Sequence, residues 1–190
     1  ADVLPNHKQF TQEFRVESAN KGPLQWIAGV FYFSEDIQID SISYDSLAPG
    51  NPQNPFYAVQ TQDARSWALF GSMNYTISDK LKVRAGVRYT DDKKDFAASR
   101  VEATTSGPHR IHSESTNVSW DASGTYELDQ NTNLFARVAT GYRAPSMQGR
   151  LFGLGDRPSF AEAEKVLSVE AGIKADLLNR RTATIVNPVD

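Results

Sequence analysis

The sequence predicts an all-β fold: an antiparallel transmembrane β-barrel segment of about eight strands with short turns and long loops. Three observations predict it. Apolar residues recur at every second position along most of the chain, which is the period of a strand with two unlike faces. Helical periodicity is absent from nearly every window. The connections alternate short and long, as they do between the two rims of an outer-membrane barrel.

The strands follow in order. "FTQEFRVES" sets Phe10, Phe14 and Val16 against Thr11, Glu13, Arg15 and Glu17. "LQWIAGVFYFSEDIQI" is apolar on both parities for ten residues and then alternates. "RSWALFGSMNYTI" sets Trp67, Leu69, Met73, Tyr75 and Ile77 against Ser66, Ala68, Ser72, Asn74 and Thr76. "LKVRAGVRYT" sets Leu81, Val83, Ala85, Val87 and Tyr89 against Lys82, Arg84, Gly86, Arg88 and Thr90. "NVSWDASGTYEL", "NLFARVATGYR" and "KVLSVEAGIKADL" continue the pattern, and "RTATIV" begins one more strand. Trp67 and Tyr75 are eight residues apart on one apolar face. At about 3.4 Å per residue they span roughly 27 Å, against an apolar band of about 25 Å edged by aromatic girdles in such barrels.

The short connections are "ANKGP", "SDK", "DQNT" and "LNR". The long ones are "DSLAPGNPQNPFYAVQTQD", "DDKKDFAASRVEATTSGPHRIHSES" and "APSMQGRLFGLGDRPSFAEAE". Loops beyond about 12–15 residues are uncommon in compact soluble domains. "IQIDSISYD" and "KDFAASRVEATT" alternate weakly, so strands that extend past the membrane are the alternative to true loops. On the polar faces the sign of charge alternates from strand to strand. Lys82, Arg84 and Arg88 are followed by Asp121 and Glu127, then Arg137 and Arg143, then Glu170 and Asp176. This pattern suits cross-strand pairs.

Composition narrows the function classes. A formal charge of -3 with 23% charged residues gives no basic surplus for nucleic acid. The chain has no cysteine, hence no thiolate chemistry. Mean hydropathy is -0.48, which does not argue against a barrel, because every second residue faces away from lipid. His109 and His112 in "HRIH" fall short of the three or four ligands of a zinc site. "DDKKD" lacks the spacing and glycine of a calcium loop. "GLGDRP" has no strand–loop–helix around it and is not a phosphate loop. The sequence predicts no catalytic residue, no metal site and no cofactor.

One run is more specific. Gly141, Tyr142, Arg143, Ala144, Pro145 and Ser146 close a strand and enter a long connection. Glu164, Lys165, Ser168, Glu170, Gly172 and Lys174 follow on the next strand. This pairing resembles the barrel domain of TonB-dependent outer-membrane receptors. "QEFRVES…LQWIAGVFYF" and "LFGSMNYTISDKLKVRAGVRYTDDKKDF" are similar to upstream strands of the same family, so the resemblance covers nearly the whole chain. It implies a 22-stranded barrel with an N-terminal plug, embedded in the lipid of the bacterial cell outer membrane. It also implies uptake of a small-molecule nutrient, most commonly an iron-siderophore complex, driven by the TonB complex through the plug. Residues 1–190 then form a partial barrel domain with no plug domain, and "RTATIVNPVD" is too short to cross a bilayer. By itself such a piece is not expected to transport anything. The resemblance further implies ligand contacts from loops, which makes Tyr142, Arg143, Arg150 and Phe152 the ligand-loop candidates. Two other readings stand beside it. One is a complete eight-stranded outer-membrane barrel acting as an adhesin or membrane enzyme. The other is a soluble β-sandwich binding module.

Overall fold

The structure is a computed structural model and describes residues 2–19, 22–44, 55–101, 106–148, 158–177 and 182–186. In chain order the strands are β1 (Asp2–Glu17), β2 (Leu24–Tyr44), β3 (Pro55–Thr76), β4 (Leu81–Val101) and β5 (Ser106–Asp129). They continue with β6 (Thr132–Arg143), β7 (Ser146–Gln148), β8 (Ser159–Ala161), β9 (Glu164–Leu177) and β10 (Thr182–Val186). Eight form one sheet in the order β1-β2-β3-β4-β5-β6-β9-β10, and β7 pairs with β8 beside it. All the pairings are antiparallel. Among the described residues the sheet is open, with β1 and β10 at its edges. No helix is long and apolar enough to cross a membrane, which says nothing of a barrel.

The register settles which residues share a face. Leu69 on β3 stands opposite Tyr89 on β4, which stands opposite Val118 on β5. Two rungs towards the other end, Met73, Ala85 and Ala122 are aligned in the same way. These apolar residues lie on the open face: Leu69 is 53% exposed, Val87 53% and Val118 55%. The opposite parity is crowded, with Ala68 at 0%, Thr90 at 8% and Asn117 at 7%. A curved sheet crowds the side chains on its concave side, so the mostly polar parity is the inner one. A soluble sandwich distributes them the other way, with its apolar parity buried. Here the apolar band is outside, as in a barrel wall facing lipid.

The upper edge of that band is visible in the side chains. Trp67 and Tyr89 touch, with ring centroids 5.3 Å apart and planes tilted by 51°. Beyond them the same outer face becomes charged. Arg65 bonds Asp63, and Lys93 bonds Glu114 at 2.8 Å.

The long connections differ from the sequence expectation. β2 to β5 run 21, 22, 21 and 24 residues, about twice the 9–11 that a bilayer requires. Most of "DDKKDFAASRVEATTSGPHRIHSES" is therefore a hairpin that stands beyond the band, with Asp92↔Ser115 and Phe96↔Ile111 in register. Half of "DSLAPGNPQNPFYAVQTQD" is likewise the start of β3. Beyond the band both faces carry polar residues, so the alternation that reveals a strand fades while backbone pairing continues. The short turns are as expected where they are described. Ile77 N–H donates to Leu81 O at 2.9 Å around "SDK", and Asn131 N–H donates to the Asp129 carboxylate at 2.8 Å in "DQNT". "LNR" lies outside the described residues.

Candidate functional site

The run that closes β6 shapes the inner wall above the band. β5–β6 backbone pairing ends at Asp121↔Ala139. At the next position the Thr140 hydroxyl accepts from Trp120 N–H at 2.8 Å and donates to Trp120 O at 3.2 Å. One side-chain hydroxyl thus fills both ladder positions that a β6 backbone unit fills lower down. β6 keeps its pairing with β9 through Arg143↔Glu164, so only its β5 side leaves the backbone ladder here. Two residues on, the Tyr142 hydroxyl reaches β5 and donates to Ser115 Oγ at 2.9 Å. Burial raises its phenol pKa above the ordinary value; the Ser115 bond opposes the rise and nearby Asp92 adds to it.

Past Arg143 the chain folds onto the inner wall. Lys94 Nζ donates to the carbonyl of Pro145 at 2.7 Å. Met147 packs against the buried cluster of Ala58, Phe96 and Ala98. Arg143 pairs with Glu164 at 3.6 Å, and both are largely exposed. These two residues stand directly opposite in register, one where the connection leaves and one where it returns. Tyr142 and Arg143 thus sit together at the root of the connection, both engaged with the protein itself. Arg150 and Phe152 lie outside the described residues.

Three residues here escaped the sequence reading: Lys94, Phe96 and Met147. Lys94 and Phe96 fell in a presumed loop. The signal for them was parity, because Arg88, Thr90, Asp92, Lys94, Phe96 and Ala98 continue the inner set without a break. The histidines of "HRIH" are three apart on β5 and so lie on opposite faces. His112 bonds Asp95 at 2.8 Å and lies 3.4 Å from Glu114 on the outer face. Among the described residues no three His, Cys, Asp or Glu are grouped to hold a metal.

Lower on the inner wall the alternating charges pair as their signs suggest. Arg84 meets Asp121 at 3.5 Å, and Arg137 meets Glu170 at 3.7 Å. Arg88 behaves differently. Its guanidinium lies over Phe31 at 5.3 Å and Phe70 at 5.8 Å, and its Nε donates to Thr90 Oγ1 at 3.2 Å. Phe70 in turn lies across Gly29, where an added Cβ would meet the ring at 2.5 Å.

An open antiparallel sheet with an apolar outer band, a wet inner wall and a connection folded inward is a segment of a membrane β-barrel. The chain belongs to the TonB-dependent receptor-like β-barrel family, whose sequence model matches residues 3–186. The fold is similar to the ferric yersiniabactin uptake receptor FyuA from Yersinia pestis. The TM-score is 0.75 at 20% identity over 89% of this chain and 26% of that one. It is also similar to the ferric-catecholate import receptor Fiu from K12 E. coli, at TM-score 0.66 and 16% identity over 93% and 30%. The copper transporter OprC follows at TM-score 0.59 and 14% identity over 94% and 30%. The chain thus spans between a quarter and a third of the solved structures it matches.

Proposed function

We propose that residues 1–190 form part of the barrel domain of an outer-membrane receptor for TonB-dependent uptake of a small nutrient, an iron-siderophore complex. The observation that carries this reading is the inward fold of the Tyr142–Met147 run onto the inner wall, in a chain whose family is one of receptors. The run supports a connection whose other residues, among them Arg150 and Phe152, reach the solute. On this reading the surrounding outer-membrane lipid covers the apolar band. The TonB complex acts through a plug that residues 1–190 do not include, and the chain performs no enzymatic step. FyuA is named for ferric yersiniabactin uptake and Fiu for ferric-catecholate import, which supports iron as the cargo; OprC, named a copper transporter, is the reason to test metals side by side.

The test is uptake in a Gram-negative strain that carries the receptor containing this chain. Deleting the gene should abolish accumulation of labelled ferric siderophore under iron limitation, and deleting TonB should do the same. Unchanged iron uptake alongside lost copper uptake would move the cargo assignment. A chain that stays monodisperse and monomeric in plain buffer, without detergent, would refute the lipid-facing reading altogether.

A further inference from the structure

We propose that the upper edge of β5, from Val118 to Arg110, docks an extended polypeptide segment that arrives from the aqueous side beyond the apolar band and joins the sheet as a strand. Three observations carry this. First, the edge is open. β5 extends up to Ser106, beyond the level where its backbone pairing with β6 ends at Asp121↔Ala139. The Thr140 hydroxyl meets both backbone groups of Trp120, so these point away from β4. Alternate residues of an antiparallel strand turn their backbone groups to the same side. Val118, Thr116, Glu114, His112 and Arg110 therefore belong to the same edge, and no register shift with β4 interrupts them. Their backbone N–H and C=O groups bond no described residue on that side. Together they span roughly 27 Å at about 3.4 Å per residue.

Second, the strand does little to defend that edge. Sheets blunt exposed edges with proline, bulges, lysines or inward-pointing charges. Between His109 and Trp120 there is no proline, no lysine and no bulge. Ile111, Ser113, Ser115 and Asn117, on the inner parity, carry no charge. On the outer face Lys93 draws Glu114, and Asp95 draws His112, towards β4 and off the edge. Arg110 lines a groove with Asp63 and Asp95, which also lies on the β4 side.

Third, the surroundings select the occupant. A row of alternating N–H and C=O groups is complementary to another extended backbone, the chemistry of strand addition. Towards the lumen Tyr142 donates to Ser115 and Lys94 holds the Pro145 carbonyl, so the connection screens the edge from within. Below, β6 already holds the place beside β5 from Asp121 to Asp129. A second copy standing the same way up in the membrane would drive the lower half of its own β5 into β6. An antiparallel copy would stand upside down. A short segment entering from above meets neither obstacle. Its inward side chains must be small, because Tyr142 and Ser115 close that side, and its alternate N–H groups must be free, so it carries no proline there. The edge stands on the fold and not on the cargo.

The probe is a synthetic ten-residue peptide of alternating threonine and valine with a lysine at each end. It is added to the receptor that contains this chain, in detergent micelles, and amide exchange is read residue by residue and corrected for the intrinsic rate. Saturating peptide should slow exchange at Thr116, Glu114 and His112 by about fivefold or more. Ser113, Ser115 and Asn117, whose amides already face β4, should not change. T116P removes an N–H that points away from β4, a place where an edge strand tolerates proline. It should weaken peptide binding by about tenfold, the cost of one blocked strand position, with unchanged mobility in unheated gel electrophoresis. A probe with two interior prolines should bind the native receptor about tenfold more weakly or not at all; this arm needs no altered receptor. No slowing at any of these amides, equal slowing of both alternating sets, or a proline probe that binds as well as the first would overturn the proposal. So would folded T116P that keeps native affinity. Amides at Thr116, Glu114 and His112 that are already slow before peptide is added would overturn it too, because the receptor's own chain would then cover the edge. These outcomes are independent of whether the receptor imports iron.

Discussion

Lys94 shows how a single side chain on the inner wall holds a connection in place. Its ammonium bonds the Pro145 carbonyl at 2.7 Å in a partly buried setting, and a hydrogen bond to a charged group contributes about 1.5–3 kcal/mol. Lys94→Met should release the Pro145–Met147 run while the sheet stays intact. Limited proteolysis should then cut near Met147 faster, with unchanged strand content by circular dichroism. Gly29 is a second such position, limited by space. An alanine there would meet the Phe70 ring and, at 2.7 Å, the carbonyl oxygen of Phe14. Backbone cannot yield as a ring can, so Gly29→Ala should destabilise the sheet by about 1–3 kcal/mol, measured as a lower urea midpoint in micelles. His112 reports pH. Its bond to Asp95, helped by Glu114, raises the imidazole pKa above its ordinary value. The stabilisation is therefore fully present below the unfolded pKa and is lost as pH rises through the higher folded one. Glu114, bonded by Lys93, has a lowered pKa. Its contribution is present above the unfolded carboxyl value and lost as pH falls through the folded one. Protection against hydrogen exchange in the β4–β5 hairpin, corrected for the intrinsic rate at each pH, should accordingly be greatest in mildly acidic buffer. His112→Gln should remove the loss on the neutral side and keep the loss on the acid side.

Among the elements, β6 parts from the β5 ladder at Thr140 while keeping its pairing with β9. Thr140→Val keeps the shape and removes the hydroxyl that serves both Trp120 N–H and Trp120 O. Backbone groups left without a partner cost about 1–3 kcal/mol. The variant should expose the Trp120 amide to exchange and loosen the Tyr142–Ser115 bond. The element scale is also where sequence reading was weakest. β3, β4 and β5 each continue some ten residues beyond the point where Trp67 and Tyr89 close the apolar band. Their upper halves read as loops because Asp63, Asp91, Lys93 and Glu114 meet water on one face while Asp92 and Lys94 meet a polar interior on the other. With no apolar–polar contrast there is no period to detect, although parity carried forward from Arg88 assigns the inner residues correctly.

For the whole molecule, the decisive property is the exposed apolar parity. Leu69 and Val87 lie within the band, on adjacent strands. A charge at such a position costs about 2–4 kcal/mol at the bilayer midplane, whereas on the solvated face of a soluble sheet it would cost almost nothing. Val87→Arg should therefore reduce folding yield into lipid vesicles sharply, read as loss of the compact band in unheated gel electrophoresis. Arg84→Ala, on the wet face, should cost far less. The ladder supplies the rest of the cohesion, since every backbone polar group within a bilayer must find a partner in the protein.

The strands within the apolar band, their faces, the strand count of the main sheet and the family are all legible in the chain, because period-2 contrast and the Gly141–Ser146 and Glu164–Lys174 runs are local signals. Tyr142 and Arg143 could be singled out for the same reason. Folding was needed to show that His112 meets Asp95 across the hairpin, that Lys94 and Met147 hold the connection to the wall, and that Arg88 alone of the mid-wall arginines has rings for partners. Those facts depend on register between strands far apart in sequence, and register is a property of paired backbones that no single strand carries.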